Sequence, residues 1–317
     1  MASLTKLACI ASLATSLMLM GPPARSEQNE AATPQAAASV LPAGFQEEKL
    51  LLPGTKLYHV WGGSGPAVIL LHGFPEDWSA WRKIAPRLAD RFTVIAPDLR
   101  GIGRSKATAD AFDPATMAQD IAALMSARSV SEAYLVGHDI GGPVAYAFAR
   151  LYPDRVRGLM LVESPLEGMP SWTAVRNSPL MWHLGFHQTP DLPEQLLAGR
   201  EAIYVRHFLK ESAGGKEPDE ADVARYAAAY SAPKRLKALL EIYRQLPAQE
   251  AFNLAHREPT AIPITFVGGE RVFGKLSDAF AKDLRAWGWS NVESIVVPDA
   301  GCRRRCGAPI RTRGSPR

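Results

Sequence analysis

YLVGHDIGGPVAYAFARL, residues 134–151, is the stretch of sequence from which the fold of this chain can be worked out. Its first three residues are apolar, as in a short buried strand, and a glycine-rich segment follows from Gly137 to Gly142. From Pro143 to Leu151 the apolar residues recur at helical spacing. We therefore predict a strand, a sharp turn and a helix in immediate succession.

Asp139 lies at the centre of this turn, with Gly137 two residues before it and Gly141 two residues after it. A sharp turn from strand to helix strains its central residue and leaves room only for small neighbours, which explains the glycines. The start of the helix favours an ionised carboxylate. A carboxylate at this place attacks sp3 carbon and forms an alkyl ester, whereas a serine would form an acyl ester. We predict that Asp139 is a nucleophile, because the simpler alternative, a helix N-cap, does not require both glycines.

The composition is that of one globular α/β domain with an insertion, since 47% of the 317 residues are hydrophobic and 21% are charged. The formal net charge of +4 comes from the two ends of the chain, which contribute +2 (residues 1–26) and +6 (residues 302–317) and leave −4 for residues 27–301. A mildly acidic body does not favour nucleic-acid binding. The same body contains no cysteine, so no disulfide framework is expected.

The N-terminus resembles a secretory signal peptide. An apolar run extends from Leu7 to Met20, and Ala24 and Ser26 match the small residues of a cleavage site. The run is shorter than the roughly 20 residues of a membrane-spanning helix, so we expect no stable membrane insertion. We predict a signal peptide over residues 1–26, a disordered lead-in over residues 27–42, and a secreted or periplasmic protein.

Strands and helices are predicted to alternate along the chain. Strand patterns cover residues 46–52, 55–61, 67–71, 92–96, 134–136, 156–163, 262–268 and 292–297. Helical patterns cover residues 80–89, 115–127, 143–151 and 276–287. This alternation indicates a mostly parallel sheet with helices on both faces. Strand patterns are missing between residues 166 and 256, where we predict a helical cap between two parts of the core, residues 43–165 and 257–301.

Three motifs follow successive predicted strands: HGFP at residues 72–75, APDLRGIGRS at 96–105, and GHDIGG at 137–142. Their order and spacing resemble the α/β-hydrolase fold, in its branch of epoxide hydrolases and dehalogenases. The resemblance covers residues 45–301. It implies a hydrolase that acts on a small hydrophobic epoxide, without a metal or cofactor, and it allows a homodimer.

The resemblance also implies residues for opening the epoxide. The backbone N–H groups of Phe74 and Ile140 would form an oxyanion hole. Acids in the cap would protonate the epoxide oxygen. Here the chain is similar to the secreted epoxide hydrolases of the cystic fibrosis transmembrane conductance regulator inhibitory factor type, which implies His183 and Tyr243 as the pair of donors. We expect structural roles for His187 and His207.

The second chemical step needs a base, which an acidic residue orients. Glu163 is the predicted orienting acid, and Glu270 is the alternative. Relatives place the basic histidine after a glycine at the end of the last strand, whereas Cys302 follows Gly301 in this chain. Alternation along a strand is expected to turn His138 away from Asp139.

The segment from residue 302 to residue 317 contains six arginines and no apolar helical pattern. We interpret it as an altered or truncated C-terminal end that lacks the histidine and the closing helix of relatives. Cys302 and Cys306 alone do not make a metal site, because no further cysteine or histidine accompanies them. The ester on Asp139 is therefore expected to form once and to persist.

Three alternatives remain open at this point. Haloalkane dehalogenases place a halide-binding tryptophan directly after the nucleophile, where this chain has Ile140. Fluoroacetate dehalogenases place an arginine close to the nucleophile, and residues 141–143 contain none. The third alternative is a catalytically impaired binding protein.

Overall fold

The computed structural model describes residues 41–300, apart from Ser178 and Gly214. The predicted signal peptide, nearly all of the lead-in, and the arginine-rich segment lie outside the described residues. Within the described part, no helix is both long and apolar enough to cross a membrane.

A nine-stranded sheet forms the centre of the molecule. Its strands are β1 (Phe45–Leu52), β2 (Thr55–Gly62), β3 (Ala67–Leu71), β4 (Thr93–Pro97), β5 (Lys106–Ala107), β6 (Ala133–His138), β7 (Val156–Val162), β8 (Ile264–Gly269) and β9 (Val292–Val297). The order is β1-β2-β4-β3-β6-β7-β8-β9, and the short β5 pairs with β2. All pairs from β4 to β9 in this order are parallel, whereas β2 is antiparallel to its neighbours.

Helices connect the strands and flank the sheet. The helices of the core are α1 (Ala85–Ala89), α2 (Pro114–Ala127), α3 (Gly141–Leu151) and α11 (Ser277–Ala286). The described residues between β7 and β8 form the helices α4 (Pro170–Arg176), α5 (Trp182–Gln188), α6 (Leu192–Leu197), α7 (Glu201–Ser212), α8 (Glu220–Tyr230), α9 (Pro233–Arg244) and α10 (Leu246–Ala255). The predicted fold class, an α/β-hydrolase fold with a mostly parallel sheet, is confirmed.

The strand β3 shows why the central strands are continuous apolar runs. Ile69 and Leu71 pack into one hydrophobic cluster, whereas Val68 and Leu70 pack into a second one. Alternate residues of a strand face opposite sides of its sheet, so both faces of β3 are buried under helices.

Two predicted elements differ from the structure. The predicted helix at residues 80–89 is split into a 3-10 helix, Trp78–Trp81, and the short α1. Pro86 lies in the first turn of α1, where its missing N–H costs nothing, so the second helix begins there. The predicted turn at residues 137–142 is shorter, because pairing with β7 continues to His138 and α3 already begins at Gly141.

Candidate active site

The turn between β6 and α3 holds Asp139 in a strained conformation, with φ at +47°. A β-carbon at Gly137 would lie 2.5 Å from the carbonyl oxygen of Gly141, and one at Gly141 would lie 2.6 Å from that of Leu71. Neither approach leaves space for a side chain. The glycines therefore allow β6 and α3 to meet at the angle that exposes the Asp139 side chain to the cavity.

Asp139 is held by hydrogen bonds at its side chain and at its backbone. The N–H of Phe74 donates to Oδ2 of Asp139 at 3.0 Å, and the hydroxyl of Ser164 donates to its carbonyl oxygen at 2.7 Å. Ile140 directly precedes α3. The two residues predicted to form the oxyanion hole, Phe74 and Ile140, thus both line the cavity with Asp139, and Phe74 donates to its carboxylate.

The ring of Phe74 joins this part of the core to the cap. It packs edge-on against Phe208 and Tyr243, with ring centroids 4.6 and 5.8 Å apart, and against His187 at 5.2 Å. One residue therefore supplies a backbone donor to Asp139 and an aromatic contact to the cap.

A cavity of about 430 Å³ opens above Asp139, between the sheet and the cap. Most of its wall is apolar. Its titratable lining residues are His138, Asp139, Glu163, Glu167, His183, Glu211, Tyr243 and Arg271.

His183 and Tyr243, the predicted donors, both line this cavity from the cap side. Their rings lie edge to face with centroids 6.2 Å apart. Burial lowers the pKa of His183 to about 4, so its imidazole is neutral at pH 7. Its Nδ1 is buried and has no hydrogen-bond partner among the described residues. A neutral imidazole donates one N–H and the tyrosine donates one O–H, which is sufficient to stabilise an alkoxide from two sides.

Glu163, the predicted orienting acid, follows β7 and also has φ at +47°. It is 4% exposed, and its two carboxylate oxygens accept hydrogen bonds from the N–H groups of Gly269 and Phe273. Burial raises the pKa of Glu163 to about 7, against the lowering effect of these two donors. Glu270, the alternative, is exposed, accepts from the N–H of Asp299 at 2.8 Å, and is not part of the cavity wall. Of the two acids, the structure therefore brings Glu163 into the site.

His138 is the last residue of β6 and lines the same cavity as Asp139. That its side chain is turned away from Asp139 stays a prediction. Its Nδ1 lies 2.9 Å from Oε2 of Glu76, and both side chains are buried. Sequence reasoning missed this pair, although Glu76 directly follows the HGFP motif.

The two histidines expected to be structural lie outside the cavity wall. His187 is fully buried and its Nε2 lies 2.6 Å from the hydroxyl of Tyr204. His207 is exposed and lies 3.5 Å from Glu211 on the same helix.

The chain is similar to known proteins in sequence and in fold. Residues 66–209 match the family described as the alpha/beta hydrolase fold. A soluble epoxide hydrolase from Corynebacterium sp. is 31% identical over 261 residues, which cover 79% of this chain and 88% of the relative. The chain belongs to the epoxide hydrolase family of α/β hydrolases.

This family member is also similar in sequence to two proteins from Burkholderia. The crystal structure of Cfl2 from Burkholderia cenocepacia is 32% identical, with a TM-score of 0.75, and the match covers 81% of this chain and 90% of that one. A fluoroacetate dehalogenase from Burkholderia sp. is 34% identical over 57% of this chain and 64% of its own length.

Proposed function

We propose that this family member opens an epoxide with Asp139 and forms an alkyl ester, which water then hydrolyses to a diol. The observation that supports this most directly is the position of the Asp139 carboxylate. It accepts the N–H of Phe74 at one end of a largely apolar cavity, and His183 and Tyr243 line the same cavity from the cap.

In the first step, an oxygen of Asp139 attacks an epoxide carbon and the carbon–oxygen bond of the ring breaks. The ring oxygen becomes an alkoxide, which takes a proton while it lies beside the N–H of His183 and the O–H of Tyr243. The cavity is apolar elsewhere, so a hydrophobic substituent of the epoxide fits its wall.

In the second step, water attacks the side-chain carbonyl carbon of Asp139. The N–H groups of Phe74 and Ile140 stabilise the negative oxygen of the tetrahedral intermediate. Cys302 stands where relatives have the basic histidine, so this step is expected to be slow and the ester is expected to accumulate.

Intact mass spectrometry with styrene oxide tests the proposal. The expected result is a mass increase of one substrate per chain, located on the peptide that contains Asp139. When the ester is hydrolysed in oxygen-18 water, the label is expected in the Asp139 carboxylate after one turnover. Label in the diol alone, without any adduct, would contradict the ester mechanism.

A second candidate is dehalogenation of a small haloacid. The guanidinium of Arg271 lines the cavity and is 44% exposed, with a loose ion pair to Asp299 at 3.5 Å. It offers a positive charge for a carboxylate, which the segment around Asp139 does not. Release of fluoride from fluoroacetate, measured beside diol release from styrene oxide and bromide release from a bromoalkane, distinguishes the activities.

A further inference from the structure

We infer that Glu163 is itself the base that activates water against the ester on Asp139, and this inference rests on the proposed function. In relatives the acid at this place is expected to act through a histidine. Here the structure brings the carboxylate directly to the cavity in which the ester would form.

The sheet places the two carboxylates side by side. β6 and β7 are parallel, and His138 pairs with Val162 in the last rung of their ladder. Asp139 and Glu163 are the next residues of the two strands, and both leave the sheet with φ at +47°. Neighbouring strands are roughly 4.8 Å apart, so a single water can lie between the two side chains. A pair of carboxylates of which one is the nucleophile and the other the base for water is an established chemical arrangement.

The hydrogen bonds of Glu163 leave it able to accept a proton. Each of its oxygens receives one backbone N–H, from Gly269 or from Phe273, and keeps a further lone pair for water. The raised pKa makes this carboxylate a stronger base than an exposed glutamate. The negative charge of Asp139 contributes to that raised pKa. Once Asp139 is an ester this charge is gone, so Glu163 ionises more easily when the base is needed.

The end of the chain explains why the same residue has a different role in relatives. A β-carbon at Gly269 would lie 2.6 Å from the carbonyl oxygen of Ala300 and 2.8 Å from Oε1 of Glu163. Glu163 therefore lies close to Ala300. Relatives are expected to have a histidine two residues after this alanine, whereas the sequence of this chain has Cys302 there and supplies no imidazole.

The step is balanced in protons and bonds. Water adds to the ester carbonyl carbon of Asp139 while Glu163 takes one of its protons. The intermediate then breaks the bond to the substrate oxygen, and that oxygen receives the proton from Glu163. The products are the diol, the Glu163 carboxylate and an Asp139 carboxylic acid that carries one oxygen from water. Asp139 then releases its remaining proton, which replaces the proton given to the alkoxide in the first step, and becomes a carboxylate again.

The test follows the decay of the styrene oxide adduct by intact mass after excess epoxide has been removed. In the Glu163→Gln variant we expect the adduct to form on Asp139 and to decay at least about 100-fold more slowly. Glu163→Asp keeps a carboxylate and should give an intermediate rate. Glu293→Gln, which makes the same change at an exposed residue of β9, should leave the rate unaltered.

The rate of adduct decay in the unaltered chain should rise with pH as Glu163 loses its proton. The charged groups that act on Glu163 are His138 and Asp139 from the end of β6. Glu167, His183 and Arg271 line the same cavity. The ester removes the charge of Asp139, and a His138→Gln variant distinguishes the contribution of His138.

The outcomes separate the inference from the proposed function. If Glu163→Gln forms the Asp139 adduct and releases it at the unaltered rate, the inference is wrong and the proposed function stands. If His138→Gln alone stops the release, the base is the imidazole paired with Glu76 and the inference is again wrong. If the unaltered chain forms no adduct, the proposed function itself fails. Should Glu163→Gln not fold, Glu163→Asp and the pH profile decide the question.

Discussion

Asp139 and Glu163 end neighbouring strands with the same backbone torsion, yet their carboxylates lie in different surroundings. Asp139 precedes the N-terminus of α3 and accepts the N–H of Phe74. Glu163 is followed by a loop, is almost completely buried, and has a pKa raised to about 7. In our proposal, these different surroundings make one of two identical chemical groups a nucleophile and the other a proton acceptor. The comparison teaches that the identity of a strand-end acid alone does not determine its role.

The largest effect is expected at the nucleophile. Asp139→Asn should abolish covalent capture of styrene oxide, because an amide is not a competent nucleophile at this carbon. Intact mass after epoxide treatment is the measurement, with Asp110→Asn as a control at an exposed aspartate. An adduct on Glu163 in the Asp139→Asn variant would show that the two carboxylates are interchangeable and would end the comparison.

In the proposed mechanism, the two proton donors of the cap act while Asp139 opens the epoxide, and they have no part in the step assigned to Glu163. Their removal should therefore slow the formation of the ester. We expect His183→Phe combined with Tyr243→Phe to reduce the rate of adduct formation by about 10² to 10⁴, since both proton donors are lost. Stopped-time mass measurements give that rate. His207→Phe, which alters an exposed histidine of the same cap, is the control, and equal rates in both variants would point to other donors.

The role of Glu163 can be changed by supplying the missing imidazole. Cys302→His should accelerate loss of the ester by about 100-fold, because Glu163 would then orient a base in place of acting as one. The decay of the adduct is again the measurement. A companion Arg303→His variant, one residue further along, is the matched control. Equal decay in the two variants would show that residue 302 does not reach the ester.

The smallest effect concerns stability. The pKa of Glu163 is raised on folding, so the folded state holds a proton that the unfolded state releases between about pH 4.5 and pH 7. The free energy of unfolding therefore decreases as pH rises through this window. Glu163→Gln lacks the ionisation, so its stability relative to the parent should improve by about 2.5 kcal/mol between pH 5 and pH 8.

Urea unfolding at the two pH values measures this difference. Glu270→Gln, at an exposed strand end, should show no such change with pH. If the stability of Glu163→Gln relative to the parent also did not change with pH, burial would not raise the pKa of Glu163. The contrast between Asp139 and Glu163 would then be weaker than the structure indicates.

The elbow could be predicted from sequence because its requirement is local. Gly137 and Gly141 have to be small wherever a strand turns sharply into a helix, and the structure shows backbone atoms where their side chains would lie. The choice between Glu163 and Glu270 could not be predicted with equal certainty. Both follow parallel strands, and which of them lines the cavity depends on contacts between distant segments, such as those that Gly269 and Phe273 make with Glu163.

The partner of His138 could not be predicted from the sequence for a physical reason. Alternation of side chains assigns a residue to one face of a strand, but it does not identify what that face meets. The partner of His138, Glu76, lies 62 residues earlier in the chain. A contact between residues so far apart in the sequence depends on the order of the strands in the sheet, and a local sequence pattern does not reveal that order.

The double contact of Phe74 has a consequence for protein engineering. Its N–H holds the nucleophile, while its ring lies against Phe208 and Tyr243 of the cap. A cap transplanted from another hydrolase would press differently on that ring and would shift the donor that Asp139 depends on. Residue 74 should therefore be exchanged together with the cap, although it lies in the core part of the sequence. A chimaera that keeps the original Phe74 under a new cap would disturb the hydrogen bond to Asp139.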